Sequence, residues 1–275
     1  MSDFKAQRMR LTERDFEFLV ETGSPEVSDK WELKRILRED EGFRNSFISD
    51  EKIFRRLMDD DQILLKISPT LYFEILLRKA ARDLSRVSYT LEKTLTMSIP
   101  VFDTEDIVKL LTKESLLIYL ADMLSSFTRI ESYTLSIRIG DRIWKKIRFN
   151  DLDLPSLMSF CEAVDEDLRM GVYKRIADIC LFILGIFPDY VERNYRYPVS
   201  GTVRPQIGRN RRLSPEEYEK AGQRFYKLAA EHRAAERIEL TEVFRDLNEN
   251  FHKAKKPLNY IADYYLRYRR DALFS

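Results

Sequence analysis

Residues 173–187 read YKRIADICLFILGIF, the most hydrophobic stretch of the chain, and its reading decides the fold. An unbroken apolar run fills Ile179 to Phe187, about 14 Å as a helix against the roughly 30 Å of a bilayer core. A run too short to span a membrane, yet apolar on every side, reads as a helix buried inside a helical protein.

Working outward, helix-start signals recur along the chain. Thr12 with Asp15 can cap a helix whose apolar stripe is Phe16, Leu19 and Val20. Ser68-Pro69 opens another, carrying Leu71, Tyr72, Ile75, Leu76 and Ala80. Asp103 with Asp106 starts a third, which the apolar set Leu116 to Phe127 either prolongs or follows as a separate helix. Pro155 introduces Leu157, Phe160, Cys161 and Val164, and Ser214-Pro215-Glu216-Glu217 is the clearest capping box. Two further helices are expected near 235–252 and 257–271.

One segment has the other period. Tyr133, Leu135, Ile137 and Ile139 alternate with polar residues, Gly140-Asp141 supplies a turn, and Ile143, Ile147 and Phe149 resume the pattern. The chain therefore reads as mainly α, a helical body of about ten helices with one β-hairpin near 133–149 and a C-terminal helical subdomain. The stretch 193–212 holds Pro198, Gly201, Pro205 and Gly208 without apolar periodicity. It predicts a basic linker between a body over 1–192 and a three-helix unit over 213–275.

Scarce residues exclude several function classes. With Cys161 and Cys180 as the only cysteines there is no disulfide framework and no Cys-rich zinc module. Met1-Ser2-Asp3-Phe4-Lys5 has no apolar stretch of the signal-peptide kind, so a cytoplasmic location is expected. Eight glycines, the nearest pair being Gly201 and Gly208, form no phosphate-cradling loop and no nucleophile elbow. No cofactor is called for, and His232 and His252, each flanked by charged residues, read as surface histidines. Lys and Arg number 47 against 46 Asp and Glu, so any attraction for a polyanion must be local.

Local charge occurs in two places. Glu192 to Arg212 holds six arginines (Arg193, Arg196, Arg204, Arg209, Arg211, Arg212) and one Glu, a local +5 interleaved with Tyr190, Tyr195 and Tyr197. Arg forks fit phosphates and aromatic rings offer stacking faces, a combination that single-strand binders use. A solvated loop paired with neighbouring acids is the plainer alternative. In the hairpin, an inward set of Ile143, Ile147 and Phe149 sends Trp144, Lys146 and Arg148, with Arg142 beside them, to the other face near Arg138. A one-residue slip would reverse those faces.

Three helices share an apolar residue followed by Ala-Asp, at Asp122, Asp178 and Asp263. Converging, the three carboxylates could hold a hard divalent cation. Against that, Lys174 stands one turn before Asp178 and Arg267 one turn after Asp263, a spacing that suits simple ion pairs. The acidic run Glu162, Asp165, Glu166 and Asp167 reads as the solvated end of a helix.

Three function classes follow. The leading one is a non-catalytic helical binding or regulatory module acting through protein contacts, with a protein partner or a second copy and no membrane. The second binds nucleic acid or another polyanion through residues 190–212 and the hairpin. The third is a metal-dependent hydrolase or nuclease on Asp122, Asp178 and Asp263. At the far end, Leu273 and Phe274 are expected to dock on a body or a partner, leaving the arginines before them in solvent.

Overall fold

A computed structural model of the chain describes residues 11–93, 98–128, 132–140, 143–150, 164–189 and 213–274, with Leu154, Leu157, Met158 and Cys161 between them. Among these residues lie fourteen helices and two two-stranded sheets, so the chain is mainly α. None of the described helices is long and apolar enough to cross a membrane. The chain divides into two units, the first formed by Met1–Thr90, Val101–Thr128 and Asp263–Arg267, the second by Leu91–Pro100, Arg129–Ala262 and Tyr268–Ser275.

The first unit contains α1 (Glu13–Gly23), α2 (Lys30–Glu39), α3 (Glu41–Ile48), α4 (Glu51–Asp59), α5 (Ile63–Lys66) and α6 (Pro69–Leu84). After α6 come β1 (Thr90–Lys93) and its sheet partner β2 (Ser98–Val101), most of whose residues belong to the second unit, and then α7 (Thr104–Leu111) and α8 (Glu114–Ser126) of the first. The predicted capping boxes explain where the chain turns into helix. Thr12 accepts from the Asp15 amide, and the Asp15 carboxylate accepts from the Thr12 amide at 2.6 Å and its hydroxyl at 2.9 Å. The other oxygen of this fully buried carboxylate accepts the Ser68 amide at 2.7 Å, just before α6. One Asp thus joins the starts of two helices 53 residues apart.

Helix α6 is the centre of this unit. Leu71, Phe73, Leu76 and Leu77 are fully buried, and Leu116, Leu120 and Leu124 of α8 complete the core beside it. The apolar set Leu116 to Phe127 belongs to a helix separate from α7. Asp103 precedes α7 without capping it through its side chain, because its carboxylate accepts from the Thr90 hydroxyl at 3.0 Å.

The second unit contains the predicted hairpin, β3 (Ser132–Gly140) and β4 (Ile143–Asn150), paired antiparallel. It also holds α9 (Glu166–Ile186), α10 (Pro215–Glu231), α11 (Arg233–Arg237), α12 (Thr241–Glu249), the start of α13 (Phe251–Tyr264) and α14 (Arg270–Leu273). Residues 176–181 of α9 are all fully buried, as the opening stretch of sequence requires. Helix α10, begun by the Ser214/Glu217 capping box, packs along α9 on one side and against α12 on the other. Residues 193–212, the expected linker, lie outside the described residues.

Several expectations are corrected here, and the helix expected near 235–252 is divided among α11, α12 and the start of α13. Pro257 does not open a helix but sits inside α13, which begins at the fully buried Phe251. Burial of that ring outweighs the backbone hydrogen bond a mid-helix proline forfeits. The expected helix to 271 stops at Tyr264, and α14 follows separately. Leu273 and Phe274 are buried as expected, the Phe274 ring standing 4.9 Å from Phe182 and 6.0 Å from Phe187. Arg270 is not left in solvent: it donates to the Ile186 carbonyl at 3.0 Å, while Asn259 donates to those of Leu184 and Gly185. Those bonds satisfy the last carbonyls of α9.

Candidate functional site

The structure places the candidate residues unevenly. Arg193, Tyr195, Arg196, Tyr197, Arg204, Arg209, Arg211 and Arg212, with Arg142, lie outside the described residues. The backbone register of the hairpin is described, and it pairs Arg138 with Trp144, Ser136 with Lys146 and Thr134 with Arg148. Tyr133 pairs with Phe149 and Leu135 with Ile147, so the two sets occupy alternate positions along the ribbon. An irregularity between Arg138 and Gly140 ends the regular pairing at the turn.

Asp178 is the best-defined of the three Ala-Asp carboxylates. It is fully buried, accepting Lys174 Nζ at 2.6 Å on one oxygen and the hydroxyl of the equally buried Tyr226 at 2.8 Å on the other. Tyr226 comes from α10, so this charge ties α10 to α9. Asp122 and Asp263 are engaged as well, and belong to the first unit while Asp178 belongs to the second. Among the described residues no three His, Cys, Asp or Glu side chains are grouped so that they could hold a metal ion. Beside Asp178, burial pushes the Cys180 thiol up and the carboxylate's charge adds to the effect, which leaves an unreactive neutral thiol.

Three polar clusters were not foreseen. In the first unit, Arg78 donates to Glu74 at 2.8 and 2.9 Å, to Asn45 at 2.8 Å, and to Glu114. Burial pushes the Glu74 carboxyl up although Arg78 pulls it down, whereas its two carboxylate neighbours hold Arg78 firmly charged. This knot fastens α3, α6 and α8 together.

In the second unit, Glu219 of α10 meets His252 Nδ1 at 3.5 Å and Lys255 Nζ at 2.7 Å, both from α13. The hydrogen bond with His252, then that with Lys255, lowers the Glu219 carboxyl from its ordinary 4.5 to about 2. A carboxyl held down on folding contributes stability above the unfolded value and loses it as pH falls towards the folded one. Glu219→Gln is therefore expected to cost about 1–2 kcal/mol near neutrality, after allowance for partial solvent exposure, and almost nothing near pH 2. Urea unfolding at both pH values checks this; a cost that persists at pH 2 would show the carboxylate's charge to be irrelevant. The third cluster, around His232, joins α9 to the corner between α10 and α11.

The exposed apolar side chains form the other candidate. In the first unit Trp31 is 70% exposed and Phe102 77%, and the Phe102 ring meets Tyr89, itself exposed, edge-on at 6.0 Å. Val87 is exposed a little earlier in the chain, and Leu65 stands open on α5. Large rings left in water in this way are characteristic of surfaces that meet another macromolecule. The spacing of Tyr89 and Phe102 in the sequence gives no sign that they touch. No protein-family model, no curated protein and no solved structure matches this chain.

Proposed function

We propose that this chain is a non-catalytic helical module that works through protein contacts. The observation that carries the reading is the edge-to-face pair of Tyr89 and Phe102, two rings of the first unit kept in solvent. Leaving such area exposed costs roughly 25 cal/mol for each Å² of apolar surface, a cost that a partner covering the rings removes. Aromatic side chains with few rotamers are also what protein interfaces use as anchors.

The second reading, polyanion binding, draws on the hairpin register, which sets Trp144, Lys146 and Arg148 at positions of one parity opposite Arg138, Ser136 and Thr134. A photo-crosslinking side chain at position 102, introduced in the living cell, separates the two. Discrete protein adducts at 102, lost with Tyr89→Ser and missing from the exposed charged position Lys109, are expected. Their absence, or equal adducts at Lys109, would overturn the leading reading. Binding to a single-stranded oligonucleotide that weakens steeply with salt and vanishes with Lys146→Glu plus Arg148→Glu would replace it with the second.

A further inference from the structure

His232 ends α10 and begins α11, and both of its ring nitrogens have partners. Nδ1 lies 3.1 Å from the backbone nitrogen of Ala234, whose N–H can only donate, so Nδ1 presents a lone pair. Nε2 lies 2.9 Å from the backbone oxygen of Glu166, the first residue of α9, which can only accept, so Nε2 carries a hydrogen. The two partners together select a neutral ring in a single tautomer. The next residues along both segments make a parallel tie, an ion pair from Arg233 to Asp167. Asp167 is held below the usual carboxylate range chiefly by Arg233, with Arg237 adding to it.

We propose that His232 is a pH-sensitive latch, joining the first turn of α9 to the α10–α11 corner only while its imidazole is neutral. A second proton, placed on Nδ1, sets one N–H against another and removes the side-chain cap of α11. The Arg233–Asp167 pair survives in mild acid because its carboxylate stays ionised, so the corner pivots on that pair instead of detaching. The charged groups gathered at this corner are Asp167 of α9 and Arg233 and Arg237 of α11. Two neighbouring acids are directed elsewhere, the Glu166 carboxylate to Arg169 at 3.3 Å and that of Glu231 of α10 to Lys227 at 3.9 Å.

Amide exchange at Ala234 in the full chain, corrected for the intrinsic pH dependence of exchange, tests the latch. Protection is expected to fall about fivefold between about pH 7.5 and about pH 5, the size of a typical N-cap. In His232→Asn, whose side chain caps without titrating, protection should not change with pH. Unchanged protection in the natural chain, or an equal fall in the variant, would overturn the proposal. The nitrogen shifts of the imidazole in the unaltered chain give a second reading that needs no variant: a hydrogen on Nε2 at neutral pH is expected, and one on Nδ1 would refute it.

Discussion

Arg78→Met is expected to destabilise the first unit by about 3–5 kcal/mol at neutral pH, the cost of leaving a buried carboxylate without its cation. Glu74 loses both hydrogen bonds that Arg78 supplies, and its side chain has almost no access to water with which to replace them. Glu114, whose side chain is 30% exposed, can rehydrate and suffers less. The pH dependence has a definite sign. Burial already pushes the Glu74 carboxyl up, and removing Arg78 removes the largest opposing cause. A carboxyl raised on folding favours the folded state below its unfolded value, and that advantage disappears as pH rises through the folded value. The variant should therefore be nearest to the natural chain at about pH 4 and furthest from it above neutrality. Combining Arg78→Met with Glu74→Leu should recover most of the loss, since an apolar pair of similar volume fills the site without a charge. Denaturant midpoints over that pH range decide the matter. A loss below about 1 kcal/mol at neutral pH would mean that water reaches Glu74 and that the knot is an ordinary surface pair.

That pair also marks the limit of what the sequence reveals. Glu74 and Arg78 stand four residues apart on α6, the spacing of any exposed helical ion pair, and Arg35 with Glu39 on α2 has the same spacing in solvent. Spacing fixes the partner; only the position of α6 among its neighbours makes one pair buried and the other wet. Helix starts were legible at Thr12, Ser68 and Ser214, where a side chain caps locally, but the starts that Asp29, Asp40 and Asp50 cap in the same way were passed over. They were not legible at Phe251, whose helix runs through Pro257 and buries Phe251, Ala254, Leu258 and Ile261 in the core. The sheet of β1 and β2 escaped notice for a related reason: four-residue strands show little alternation, and Pro100 argues against a strand. The hairpin β3–β4, twice as long, showed its period plainly. The histidines are partly exposed, in keeping with the surface reading, but their partners were not foreseen. His232 has charged flanks, but its partner Glu166 lies 66 residues away. Nothing within one turn of a residue reports a contact across that distance.

Gly222 shows how such distant packing sets the sign of a substitution. In the interior of an exposed helix, Gly→Ala gains about 1 kcal/mol. A Cβ at Gly222 of α10, however, would stand 2.2 and 2.5 Å from two ring atoms of Phe251 and 3.1 Å from the Cys180 Cβ. The Phe251 ring is fully buried and flanked by Tyr226 at 6.2 Å, so moving it aside means shifting other core side chains. Gly222→Ala is expected to lose about 2 kcal/mol net, strain outweighing the gain in helix propensity. Phe251→Ala, which empties the same volume, should lose about 3–5 kcal/mol. The two losses cannot add, because the methyl group of the first occupies part of the space vacated by the second. The double variant should be more stable than the sum predicts by at least about 1 kcal/mol, a coupling measurable in a double-mutant cycle by denaturant unfolding. Additivity within about 0.5 kcal/mol, or a stabilising Gly222→Ala, would mean that Phe251 does not rest on this glycine and that α13 meets α10 in another register.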